Sequence, residues 1–234
     1  MRKVVGTLAG MLLLVGCGAN PATPGPTSPP SPSPESTNLA RAAVTALTTQ
    51  HDAWQFTATT YESGSPKFSR TIAGTQSDRS PTALSLTVTQ SGKPDMRYVR
   101  VGTDAWYDLG TGSYTATKSS DSYVNLDFQT YFLDSIVGAA ETQGYEYQPV
   151  GADTVNGVAA THYRLADRDL QGIVAYMPGI TAADWGADIW VSNVDGSLLR
   201  LTWGPQATDK AQPQTGYDYT VTAVDCDCAI RPPA

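Results

Sequence analysis

The chain has 234 residues (24.8 kDa), with 15 Lys and Arg against 22 Asp and Glu, a formal net charge of −7 and a pI near 4.7. That acidic balance argues against a nucleic-acid partner and against a basic face that would lie on a membrane. Cys226 and Cys228 have no third and fourth ligand beside them in the sequence, and His51 and His162 lie far from them, so no metal or other cofactor is expected.

The first seventeen residues read as a lipoprotein signal peptide. Arg2 and Lys3 form a positive start, and Val4 to Val15 is an apolar run too short for a stable membrane span. It ends in Leu14-Val15-Gly16-Cys17, which looks like a bacterial lipobox. Acylation of Cys17 is therefore expected. Two or three acyl chains hold a protein stably where one would not, so the location expected is the extracytoplasmic face of a cell membrane. Residues 18–36 follow as a linker; seven of the fourteen residues from Pro21 to Pro34 are Pro. Such a segment cannot bury apolar surface, and about twenty residues at about 3.1 Å each reach of order 60 Å. Residues 37–234 are long enough for a single domain with a sizeable core.

Asn38 is placed to cap a helix over about 38–50, with Leu39, Ala42, Ala43, Ala46 and Leu47 at helical spacing. The period then changes to two. Trp54, Phe56 and Ala58 alternate with polar residues, and so do Leu84, Leu86 and Val88; short strands follow at Lys67–Ser77, Met96–Val101, Ala105–Leu109 and Tyr114–Lys118, with turn residues between them. This is the pattern of an antiparallel meander. From Asp127 the meander is interrupted by an apolar helix to about residue 142, in which Phe128, Phe132 and Ile136 form one row and Leu133, Val137 and Ala140 the next. Strands resume at Tyr145–Val150 and, about an Asn156-Gly157 turn, over Thr154–Leu165. Leu170, Ile173, Val174 and Met177 mark a one-faced helix closed by Pro178-Gly179. Asp184-Trp185-Gly186 reads as a loop leading into a hairpin, Ala187 to Trp203, turned by Asn193, Asp195 and Gly196. Strict alternation puts Ile189, Val191, Leu199, Leu201 and Trp203 on its inward face and Trp190 on the other. A last strand spans about Gly216 to Ile230 and carries Cys226 and Cys228. Outside the cytoplasm these two can pair. In an extended strand, residues i and i+2 lie near the upper limit of disulfide reach, so the bridge requires a kink or bulge.

The order of elements resembles the LppX/LprA/LprF/LprG lipoproteins of actinobacteria, related in fold to the LolA lipoprotein carrier. The residues that carry the resemblance are Asp153-Thr154-Val155-Asn156-Gly157-Val158, Leu170 to Gly179, Ile189-Trp190-Val191, and Asp195-Gly196-Ser197-Leu198-Leu199-Arg200-Leu201. The resemblance implies an α+β fold: a strongly curved antiparallel sheet, a half-barrel, with helices against its concave face. It also implies an apolar cavity between them that holds the acyl chains of a lipid or glycolipid, for carriage or presentation in the cell envelope. The candidate cavity residues are Trp54, Phe56, Leu84, Leu86, Val88, Phe128, Phe132, Leu133, Ile136, Val137, Ile173, Val174, Met177, Ile189, Val191, Leu199, Leu201 and Trp203. The Cys226/Cys228 pair departs from the family pattern.

The chain contains no GxSxG, HExxH or P-loop motif. His51 ends the first helix and His162 sits within a strand, both in positions that suit structure better than catalysis. An enzyme is not expected. The partners expected are a lipid or glycolipid, the membrane through Cys17, and an envelope transporter, with the protein itself a monomer. The competing reading is an interaction or signalling protein of the same fold that binds no lipid.

Overall fold

The computed structural model describes residues 38–62, 70–118, 128–175, 181–205 and 215–234, all within one compact unit, Ser36–Ala234. The elements are α1 (Leu39–Gln50), β1 (Ala53–Glu62), β2 (Arg70–Ser77), β3 (Ala83–Gln90), β4 (Met96–Val101), β5 (Asp104–Asp108), β6 (Thr115–Lys118), α2 (Phe128–Gln143), β7 (Tyr147–Val155), β8 (Val158–Leu165), α3 (Asp167–Val174), a 3-10 turn (Ala182–Asp184), β9 (Trp185–Ser192), β10 (Leu198–Pro205) and β11 (Thr215–Val224). The signal peptide and linker, Met177 and the Pro178-Gly179 stop lie outside the described residues. So do the side chains of Phe128 and Phe132.

The eleven strands form one curved, open antiparallel sheet in the order β6-β5-β4-β3-β2-β1-β11-β10-β9-β8-β7. Each run is a meander, and the two runs meet at the centre, where β1 pairs with β11. Every neighbouring pair is antiparallel; in the chain α1 precedes the first strand, α2 lies between β6 and β7, and α3 between β8 and β9.

The sheet register aligns apolar residues in rows across the strands. One row reads Tyr163, Ile189, Leu201, Tyr219, Ala58, Ile72, Val88 and Met96, from β8 through β11 and on to β4. A parallel row reads Val221, Phe56, Gly74, Leu86, Tyr98 and Tyr107. In it Gly74 has a steric reason: a Cβ there would sit 2.2 Å from Phe56 Cζ and 2.8 Å from Leu86 Cδ2. The missing side chain is the space that the Phe56 ring fills.

Helix α1 begins where the Asn38 side chain accepts from the Arg41 N–H at 3.2 Å. It lays Ala40, Ala43, Val44 and Leu47 on the core and ends at His51, whose backbone turns extended. The small alanines let it approach both α2 and β10 closely. The Asn156-Gly157 turn has φ of 49° and 83°, the positive pair that a two-residue hairpin needs.

Several boundaries differ from the sequence reading. Strand β5 stops at Asp108 rather than Leu109, because the Asp108 carboxylate turns back to accept from the N–H groups of Gly110, Thr111 and Gly112. The strand expected at 145–150 and the arm at 154 are one strand, β7, bulged between Pro149 and Gly151. Trp185 and Gly186 belong to β9 and not to a loop. Strand β11 ends at Val224, since Asp225 has φ 52°. Cys226 and Cys228 thus lie beyond the strand, where the turned backbone brings their Cα atoms to 5.1 Å and a disulfide joins them.

Candidate functional site

The helix-covered face of the sheet carries two apolar clusters. The central one joins α1 and α2 to strands β1–β5 and β9–β11. Of the residues expected in the cavity, Trp54, Phe56, Leu84, Leu86, Val88, Leu133, Ile136, Val137, Ile189 and Leu201 are buried in it, and Val191 and Trp203 are half-buried against it. The second cluster gathers Leu165, Leu170, Val174, Trp185 and Ala187 beneath α3, with Ile173 half-buried at its edge. Tyr147 and Trp203 touch both clusters. They mark a seam between the part of the face under α1 and α2 and the part under α3; Trp203 on it is half-buried, and so are Tyr163 and Val191 of the central cluster.

Leu199 is a correction. A β-bulge between Leu198 and Arg200 adds a residue to β10, so strict alternation fails there. Leu198, fully buried, takes the place on the helix face, and Leu199 turns to the opposite side with Trp190, Val155 and Ala160. Sequence reasoning also missed Tyr98, Tyr217 and Tyr219 as core members, and Trp185, Tyr147 and Tyr163 on the seam. Alternation within β11 contained the signal for Tyr217 and Tyr219. Trp185 had no such signal, since a DWG triplet between a helix and a strand reads as a loop.

The polar groups in the rows of this face include Gln76 and Arg100, aligned with Trp54, Leu84 and Ala105, and two tyrosine hydroxyls. Burial pushes the Tyr219 and Tyr147 hydroxyls up, so both stay protonated. Tyr219 accepts from the Trp54 indole N–H at 3.1 Å. The Trp185 indole N–H, on a side chain 97% buried, has no hydrogen-bond partner among the described residues.

The opposite face of β7–β10 is built differently. The His162 and Trp190 rings stack at 4.4 Å with 2° between their planes, and the Arg200 guanidinium lies 4.9 Å from the Trp190 ring centre. Trp190 donates to Asp153 at 2.8 Å, Arg200 grips Asp218 with two bonds of 3.1 and 2.6 Å, and His162 and Arg164 both approach the buried Asp188. At the end of the sheet nearest the disulfide, His51 bridges two carboxylates, Asp225 at 2.9 Å and Asp195 at 3.0 Å. Partial burial raises Asp195, but the Ser197 N–H and hydroxyl, Ser192 and His51 outweigh it and hold the group at about 2. Among the described residues no group of three or more His, Cys, Asp or Glu is arranged to hold a metal, and no helix is long and apolar enough to cross a membrane. An open groove of about 330 Å³ at the β5–β6 edge, lined by Asp104, Trp106 and Lys118 among others, contains none of the expected cavity residues.

An open, curved antiparallel sheet with helices against one face is the fold of the LppX and LprF lipoproteins. The chain is similar to LprF from Mycobacterium bovis, at 16% identity and a TM-score of 0.52, over 87% of this chain and 99% of LprF. It is also similar to the Mycobacterium tuberculosis lipoprotein LppX, at 12% identity and a TM-score of 0.50, over 84% of this chain and all of LppX. No family model and no curated protein sequence matches the chain.

Proposed function

We propose that this is a membrane-tethered, non-enzymatic lipoprotein that holds the acyl chains of a lipid or glycolipid between the sheet and its helices and carries or presents that lipid in the cell envelope. Acylated Cys17 is the tether on the extracytoplasmic face, and residues 18–36 are the spacer. The observation that carries the reading is a wide apolar face in two clusters joined at Tyr147 and Trp203, with Tyr163, Val191 and Trp203 only half-buried, as Leu39, Met96 and Tyr107 also are. Removing an acyl chain from water is worth about 0.8 kcal/mol per CH₂, so apolar walls suffice and no reactive group is needed. The shared fold with LprF and LppX, the latter itself a lipoprotein, supports the assignment.

The test is extraction. Protein purified from its native host should release a non-covalently held lipid into organic solvent in near-stoichiometric amount, identified by mass spectrometry. A protein that carries none, and takes up none from vesicles, is instead an envelope docking or signalling protein with a filled core.

A further inference from the structure

Three of the five tryptophans are buried, and their indole N–H groups differ in one respect. Trp54 donates to the Tyr219 hydroxyl and Trp190 to the Asp153 carboxylate. Trp185, 3% exposed, has no acceptor among the described residues. A buried donor without an acceptor costs about 1–3 kcal/mol, and such groups are rare enough in folded proteins to require a reason. Local constraint does not supply one. Phe at this position would keep the ring contacts with Leu165, Leu170, Val174 and Ala187 and carry no donor.

We propose that the Trp185 Nε1–H is a ligand donor, which hydrogen-bonds the ester carbonyl oxygen of an acyl lipid lying along the α3 side of the seam. The inference rests on the lipid-binding reading and narrows it: the ligand carries a carbonyl at the head of its chain and is not a bare hydrocarbon or an alkyl ether. Position supports this. Trp185 begins β9 at the end of the face where Tyr147 and Trp203 join the two clusters, so a chain in the seam would run over Trp203 with its first carbons near the indole. The surroundings are largely apolar, Leu165, Leu170, Val174 and Ala187 with the Tyr145 and Tyr147 rings beside them, and among the described residues none accepts from the indole. A carbonyl there meets a donor that water does not reach, and the bond is stronger for it. Because the N–H is sealed, the carbonyl takes the place of an α3 side chain. Helix α3, eight residues long with only Leu170 and Val174 buried, is the cover that yields.

The test compares diacyl phosphatidylglycerol with its dialkyl ether analogue, which keeps chains and headgroup and lacks only the carbonyls. Both are titrated into the full chain in detergent micelles. The wild type should bind the ester about tenfold more tightly, the effect of one hydrogen bond of roughly 1.4 kcal/mol. Trp185→Phe should bring the ratio to about one, and Trp190→Phe, on the opposite face, should keep the tenfold preference. A second readout needs no variant: in the wild type, assigned by its own connectivities, the Trp185 indole proton should move downfield with ester lipid and not with ether. The assignment is overturned if Trp185→Phe retains the preference, if the wild type binds both lipids equally, or if the indole resonance stays put with ester bound. If the wild type binds neither lipid, the lipid-binding reading itself falls, and this assignment with it.

Discussion

Strand β9 carries two tryptophans five residues apart, and they show how differently the two faces of one sheet are built. Trp190 lies on the outer side between His162 of β8 and Arg200 of β10, and its indole N–H donates to Asp153. Trp185 lies on the helix side among Leu165, Leu170 and Val174, with its N–H unmet. The outer face is a closed system of ring stacking and ion pairs that binds β7–β11 to one another. The helix face is largely apolar, with Gln76 and Arg100 in one of its rows, and is divided by a seam. Similar side chains on the same strand therefore serve opposite ends: one completes a structure and the other leaves it incomplete.

Substitutions can break this contrast. The largest effects should come from the centre of the helix face. Gly74→Val places atoms inside the Phe56 ring and against Leu86, and neither neighbour can retreat from a sealed core. A loss of about 3 kcal/mol is expected, read as a shift in urea midpoint. Leu201→Ala, at a fully buried position, should cost about 3 kcal/mol by transfer and cavity together. Both should reduce lipid retention. On the outer face, Trp190→Phe keeps much of the stack but frees the Asp153 carboxylate, which water can then reach; about 1 kcal/mol is expected, with lipid retention unchanged. If Trp190→Phe lowers retention as much as Leu201→Ala, the two faces are not independent.

The Asp195–His51 contact gives a pH prediction of intermediate size. The carboxylate lies at about 2 in the folded protein against about 3.9 unfolded. A depressed carboxylate contributes its full stability above the unfolded value and loses it as pH falls through the folded one. Thermal stability should therefore decline between about pH 4 and pH 2, and Asp195→Asn should flatten that part of the profile. Asp195→Asn should also cost about 1–2 kcal/mol at neutral pH. A variant whose acid decline matches the wild type would exclude Asp195 as the source.

Most of the architecture was legible in the sequence because period and turn chemistry are local. Trp54, Phe56 and Ala58, or Leu84, Leu86 and Val88, announce their face by alternation alone, and Asn156-Gly157 announces its turn. What escaped was set by contacts distant in sequence. Leu198 and Leu199 exchanged faces because of one bulge, which no pattern within the hairpin betrays. Trp185 was misread because three residues of DWG cannot show that Gly204 and Pro205 of β10 pair alongside. Gly74 looks like a weak point in a strand until Phe56 is placed across from it. The candidate cavity residues were found as a face, since ten of them share the central core, but the seam through that face depends on where α2 and α3 stop covering it, and that is a property of packing.

The smallest expected effect is the most diagnostic of how the outer face is held. Arg200 is 38% exposed at its side chain and Asp218 31%, so a simple ion pair there should be worth less than about 1 kcal/mol and should fade in salt. Yet Arg200 does two things at once: its fork meets both oxygens of Asp218, and its plane lies beside the Trp190 ring. Lys preserves the charge and loses both the fork and the plane. Arg200→Lys should therefore destabilise by about 0.5–1 kcal/mol. Contact with the ring is less sensitive to ions than an exposed charge pair, so about half of that difference should survive in 1 M NaCl. If the difference vanishes in salt, Arg200 acts only through Asp218, and the His162-Trp190-Arg200 row is three neighbours rather than one stacked unit.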